Sequence, residues 1–130
     1  MATLPLFSRC KRRQLLKLAG LARFEEFAPG SIVIQAGEPS NAFYVILSGR
    51  ARVLVKPRAR LLRMGDYFGE MGLIDGEPRS ASIAAVDELQ VMKLLRRPFL
   101  KLLEQEPGIA AAMLAELARR VRGLEKSYAA

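Results

Sequence analysis

Phe68-Gly69-Glu70-Met71-Gly72-Leu73-Ile74-Asp75-Gly76-Glu77-Pro78-Arg79-Ser80-Ala81-Ser82 is the stretch from which the rest of the chain can be read. Gly69 and Gly72 let a backbone come close to a ligand. Residues 69–73 predict a single helical turn whose N–H groups attract an anion, phosphate most readily. Arg79 follows at the predicted start of a strand, where a guanidinium can fork onto two phosphate oxygens. Ser80 and Ser82 add hydroxyl donors. Glu70 is the odd member, because a carboxylate beside a phosphate site is electrostatically unfavourable. It fits if it accepts a hydrogen bond from a ligand hydroxyl, as acidic residues do with ribose in dinucleotide sites. Taken singly, these residues have plainer readings too: Arg79 as a structural ion pair with Glu77 or Glu70, and Glu70 as a cap on the short helix.

On both sides of this segment the chain reads as short strands. Upstream, Gly65-Asp66 is a turn and Leu61 to Met64 a strand. Pro57 interrupts the preceding run, in which Arg50, Arg52 and Leu54 alternate with Ala51, Val53 and Val55. Phe43 to Leu47 is an apolar strand closed by Ser48-Gly49. Gly37-Glu38-Pro39-Ser40-Asn41 is a turn cluster, and Ser31 to Gln35 a strand after the Pro29-Gly30 turn. Ser8 is placed to cap a helix from Arg9 to about Leu18, with Gly20 just past its end. Downstream, Ser80 to Val86 and Leu89 to Leu95 are strands. The period then becomes helical over Arg97 to Leu103 and over Pro107 to about Tyr128, with Pro107 near a helix start. Ile109, Met113, Leu117, Val121 and Leu124 share one stripe, and packing on the domain's own core is expected for the first two. The pattern predicts a mainly β domain with flanking helices, an antiparallel barrel or jelly roll. Residues 1–22 form its helical N-terminal segment, 23–95 the β-roll, and 96–130 the C-terminal helices.

The 130 residues suit one domain, and 51% hydrophobic residues can fill its core. With a single cysteine and no histidine, neither an internal disulfide, nor a zinc site, nor a histidine-based triad can be built. An enzyme is therefore not expected, and no metal or cofactor is called for. The lone Cys10, the absence of a long apolar run, and the early Pro5 and Arg9 predict a cytoplasmic protein without a signal peptide. The net charge of +8 favours anionic partners. The Arg9 to Lys17 cluster shares a helix with Leu15, Leu16 and Leu18 and reads as a solvated face.

The quoted stretch resembles the phosphate-binding cassette of cyclic-nucleotide-binding domains, approximately F-G-E-[LIM]-[AG]-L-x-x-x-x-P-R-[AST]-A-[ST], and every fixed position is matched. The likeness extends to Gly37-Glu38-Pro39, to Val45-Ile46-Leu47-Ser48-Gly49 and to Gly65-Asp66-Tyr67-Phe68, and covers nearly the whole chain. The resemblance implies an eight-stranded antiparallel jelly-roll barrel with an N-terminal helix and C-terminal lid helices, the cassette spanning 68–85. It implies that Arg79 pairs with the cyclic phosphate and that Glu70 takes the ribose 2′-hydroxyl. Phe68, Gly69, Met71, Gly72, Ser80 and Ala81 complete the cassette, backbone N–H groups near Gly69, Met71, Gly72 and Ser80 cradling the phosphate. In the family, threonine after the arginine favours cGMP and alanine favours cAMP. Ser80 is intermediate, and similarity to bacterial cAMP-responsive members implies cAMP, with cGMP bound more weakly. Val53 and Leu62 are expected beside the base. Arg120 matches a basic residue that stacks over the purine in the bacterial cyclic-nucleotide-gated potassium channel.

The expected function is thus a ligand-sensing module whose final helix repositions on binding. Two relatives in kind are the sensory half of a catabolite-activator-type transcription regulator and a domain cut from a gated channel. Direct nucleic-acid binding is not expected, because no helix-turn-helix follows the last helix. The Ala110, Met113 or Leu114, Leu117, Val121 and Leu124 series covers only two heptads, and a monomer is preferred over a homodimer, with a parent protein or effector domain as partner.

Overall fold

The computed structural model describes residues 5–55, 60–69, 72 and 75–129, the side chains of 5, 120 and 124–129 excepted. It divides into two compact units, Leu21–Phe99 and a helical unit of Met1–Gly20 with Leu100–Ala130.

The first unit carries eight strands: β1 (Arg23–Phe27), β2 (Ile32–Ile34), β3 (Ala42–Ser48), β4 (Ala51–Leu54), β5 (Arg60–Leu62), β6 (Tyr67–Phe68), β7 (Ser82–Ala85) and β8 (Leu89–Leu95). They form two four-stranded sheets, ordered β1-β8-β3-β6 and β2-β7-β4-β5. Each ladder described is antiparallel. The expected mainly β jelly-roll fold is present, but the barrel is not closed: among the described residues no ladder joins the two sheets. The chain changes sheet at most of its turns, so the sheets are linked covalently at their corners rather than by continuous hydrogen bonding.

Period-2 alternation decides what faces inward. Tyr44, Ile46, Phe68, Leu89 and Val91 of one sheet cluster with Ile34, Ala51, Leu62, Ile83 and Ala85 of the other. Burying each larger side chain contributes roughly 1.5–3 kcal/mol. The Tyr44 and Phe68 rings stack with centroids 5.0 Å apart. On the opposite face of β3, Phe43 meets Phe99 at 5.2 Å in a tilted arrangement. Arg50 closes the β3–β4 corner on Asp87, with its backbone N–H 2.7 Å from Oδ1 and its Nε 2.8 Å from Oδ2. These bonds hold the Asp87 carboxyl below its usual range.

Two strands went unread in the sequence. β1, Arg-Phe-Glu-Glu-Phe, hides its alternation because Phe24 is exposed. It is held by pairing with β8, where Lys93 Nζ reaches Glu25 at 3.1 Å and Gln90 reaches Glu26 at 3.1 Å. β6 has only two residues, too few to show a period.

In the helical unit, a 3₁₀ turn (Pro5–Phe7) precedes α1 (Arg12–Leu21). α2 (Arg96–Gln105) and α3 (Pro107–Ala129) follow the last strand. α1 starts later than Ser8 suggests, because residues 8–10 turn back with Cys10 N–H on the Phe7 carbonyl at 3.0 Å. The cap comes instead from Gln14, whose Oε1 accepts from Lys11 N–H at 2.9 Å, and Gly20 lies inside the helix. Arg13 and Lys17 are more than a solvated face: both contact the Glu106 carboxylate, the Lys17 contact at 2.5 Å. Hydrogen bonds from Lys17 and then Arg13 lower the Glu106 pKa. The α3 stripe starts as expected, with Ile109 and Met113 buried, but Val121 is 52% exposed. Glu116 takes the next buried place and meets Arg119 at 2.6 Å. Leu124 lies outside the described side chains. Among the described residues, no helix is long and apolar enough to cross a membrane.

Candidate functional site

Arg79 is the organising residue. Its backbone is clipped to the Gly37-Glu38 turn by two hydrogen bonds, Arg79 N–H to the Glu38 carbonyl at 2.8 Å and Gly37 N–H to the Arg79 carbonyl at 2.9 Å. The turn cluster read from the sequence therefore serves to place this arginine. Only 7% of the residue is exposed. Nη2 donates to the Ala42 carbonyl at 2.6 Å and Nη1 to the Gly69 carbonyl at 3.4 Å. The guanidinium carbon lies 5.9 Å from the centroid of the Tyr44 ring, near enough for a cation–π contribution. A buried cation must be hydrogen-bonded to be tolerated, and here strand β3 and the start of the cassette provide acceptors.

The cassette glycines are required by close approach. Gly69 has φ +87°, a conformation that L side chains rarely adopt, and a Cβ there would sit 2.5 Å from Arg79 Nη1. The helical turn expected over residues 69–73 therefore does not include Gly69. Gly72 and Asp75 have helical backbone. A Cβ on Gly72 would collide with the Cβ and Oγ of buried Ser40. Glu70 and Met71, assigned from the sequence to the ligand hydroxyl and the phosphate cradle, lie outside the described residues, as does the side chain of Arg120.

These features open onto a cavity of about 250 Å³. The cavity brings together Phe68, Gly69, Gly72, Arg79, Ser80 and Ala81 of the cassette with Val53 and Leu62 of the opposing strands. Its chemistry is divided. Arg79, Ser40, Ser80 and the glycine backbone make a polar end, while Ile34, Val53, Leu62 and Ile83 make an apolar wall. Val53 and Leu62 share that wall but are not directly opposed: Val53 pairs with Arg60, and Leu62 with Ala51. A small ligand with one anionic end and one flat apolar end matches this surface.

Sequence reasoning missed Ser40, Arg60, Tyr67 and the exposed carboxylates Asp75 and Glu77, all of which line the cavity. Arg60 was legible in principle. It stands two residues before Leu62 in the same strand, so the two share a face.

The sequence profile of the family described as "Cyclic nucleotide-binding domain" matches residues 24–106. The chain belongs to the cyclic-nucleotide-binding domain family. This domain is 38% identical over 102 residues to a cAMP-dependent protein kinase regulatory subunit of Emericella nidulans, covering 76% of the chain and 25% of that protein. It is 31% identical over 110 residues to a cyclic nucleotide-gated potassium channel of Rhizobium etli, covering 85% of the chain and 31% of the channel. The domain thus spans about a quarter to a third of these relatives' length. Among solved structures, the Thermus thermophilus catabolite activator protein superposes with a TM-score of 0.79 at 29% identity, over 95% of this chain and 61% of that one.

Proposed function

We propose that this domain binds cAMP, and cGMP more weakly, as a ligand-sensing regulatory module, with the cyclic phosphate on Arg79 and the base against Val53 and Leu62. The observation that carries this reading is the Arg79 guanidinium, buried at one end of a cavity whose other wall is apolar. A cyclic nucleotide has one negative charge, a sugar hydroxyl and a flat purine; the charge suits the Arg79 end and the purine suits the apolar wall. Helix-end N–H groups give partial charge only, so a full cation is the efficient partner for the phosphate. Glu70 is assigned to the ribose 2′-hydroxyl and the N–H groups near Gly69, Met71, Gly72 and Ser80 to the phosphate oxygens. The kinase relative's name supports cAMP as the ligand.

The domain acts by binding rather than by catalysis, in the cytoplasm, and reports to a parent protein or effector. α3 repositions when ligand enters, with Arg120 over the base; Arg120→Ala should then speed ligand release while leaving the phosphate contacts intact. The reading as a whole is tested by calorimetric titration with cAMP and cGMP. Saturable one-to-one binding, tighter for cAMP, is expected. Absence of binding by both nucleotides to the folded protein overturns it.

A further inference from the structure

Ser40 is only 8% exposed, yet it lines the cavity. Among the described residues its hydroxyl makes no hydrogen bond, and its oxygen is not sealed inside the core. What exposure it has is therefore to the cavity. Two attachments of Arg79 bracket it in the chain. Arg79 N–H meets the Glu38 carbonyl at 2.8 Å, two residues before Ser40, and Nη2 meets the Ala42 carbonyl at 2.6 Å, two residues after it. The segment from Glu38 to Ala42 thus runs alongside Arg79, with Ser40 at its middle. Facing it is Gly72, whose missing Cβ leaves the space that the Ser40 Cβ and Oγ fill. The hydroxyl stands against bare backbone of the cassette, on the segment that carries the Arg79 contacts.

A hydroxyl withdrawn from water without a partner is destabilising. A ligand that supplies the missing bond recovers that cost, so the free hydroxyl favours the occupied cavity. A serine hydroxyl can donate or accept. Beside a guanidinium that draws negative charge, the group it meets is an acceptor, and Ser40 donates. A hydrogen bond to a charged oxygen is shorter and stronger than one between neutral groups. We propose that Ser40 is a further ligand-binding residue, its Oγ–H donating to an anionic phosphate oxygen of the nucleotide held on Arg79. This rests on the cyclic-nucleotide reading of the cavity. It also gives a reason for glycine at position 72, since a side chain there would take the place of the hydroxyl.

The test is calorimetry on the full chain with cAMP, 2′-deoxy-cAMP and the two diastereomeric phosphorothioates of cAMP. In each phosphorothioate, sulfur, a weaker acceptor, replaces one of the two exocyclic oxygens. Ser40→Ala should weaken cAMP and 2′-deoxy-cAMP alike, by about tenfold, the scale of one hydrogen bond to a charged group. With the diastereomer whose sulfur occupies the position that Ser40 reaches, the variant should lose less than about threefold. With the other diastereomer the full loss should remain. Without ligand, Ser40→Ala should unfold at the parent's temperature or slightly above it, because it removes a hydroxyl that has no partner. Equal loss for both phosphorothioates would make Ser40 a structural residue and overturn the assignment. A loss absent from 2′-deoxy-cAMP would move the contact to the ribose and overturn it equally. Unchanged cAMP affinity, or a lower unfolding temperature of the ligand-free variant, would do the same. A parent that binds none of these nucleotides removes the cyclic-nucleotide reading itself, and this inference with it.

Discussion

The two units differ in the described groups that hold their buried and half-buried charges. Among the described residues of the sheet unit, Arg79 donates to the neutral carbonyls of Ala42 and Gly69. In the helical unit, Arg13 and Lys17 converge on the Glu106 carboxylate, and Arg119 on that of Glu116. A carbonyl orients a guanidinium without cancelling its charge, while a carboxylate orients and cancels it together. The described carbonyl contacts fix the direction of the Arg79 guanidinium at the cavity, while the carboxylate contacts hold the helical unit. Most exposed ion pairs contribute little, but Glu106 and Glu116 are themselves buried, 7% and 3% exposed, so each needs its partners.

The sharpest way to break this contrast is to remove the guanidinium. Arg79→Ala should weaken cAMP by about 30-fold to several-thousand-fold, the loss of one member of a buried charged pair at roughly 2–5 kcal/mol. Arg79→Lys should recover only part of that, because an ammonium cannot fork. Calorimetry measures both, with circular dichroism as the folding control. A folded Arg79→Ala protein within about threefold of the parent would remove Arg79 from the site and dissolve the contrast.

Gly69→Ala comes next. The added methyl meets Arg79 Nη1, and the backbone has φ +87°. A left-handed alanine costs about 1–2 kcal/mol, so thermal unfolding should shift down by several degrees. Because the methyl also displaces the guanidinium, cAMP affinity should fall in parallel. A loss of stability with unaltered affinity would show that the Gly69 contact does not position Arg79.

Selectivity at Ser80 is a finer probe of the same cavity. Ser80→Thr should move the cGMP-to-cAMP ratio up by a few-fold, and Ser80→Ala should move it down, on the scale of one neutral hydrogen bond of about 1 kcal/mol. Competition binding with the two nucleotides gives the ratio directly. No movement in either variant would leave base choice to other residues.

Glu106→Gln tests the other side of the contrast and should have the smallest effect. The folded-state pKa of Glu106 lies below its ordinary value, so its stabilisation is present above the usual carboxylate range. It is lost as pH falls through that range toward the folded value. The variant should unfold at a slightly lower temperature near neutral pH, with the difference fading at acid pH, and cAMP affinity should not change. A strong effect on affinity would show that the charges of the helical unit belong to the ligand site after all.

Residues close together in the chain were largely legible. The alternation from Ala51 to Val55 gave β4, Pro107 marked the start of α3, and the glycine-rich run with Arg79 identified the candidate site, because each signal is local and spans enough residues to show a period or a motif. β1 failed on the same principle: its exposed Phe24 and paired glutamates break the apolar pattern, and only the ladder with β8 makes it a strand.

By itself the sequence determined the mainly β character, the flanking helices and the arginine on which the site is built, since backbone propensity, side-chain period and glycine spacing act within a few residues. Tertiary structure alone decided which carbonyls Arg79 donates to, that Glu116 takes a buried place on α3, and that Arg13 and Lys17 meet Glu106, about 90 residues away in the chain. These are pairings between distant segments. They depend on strand register and sheet order, which are set by the free energy of the whole packed core rather than by any stretch that can be read on its own.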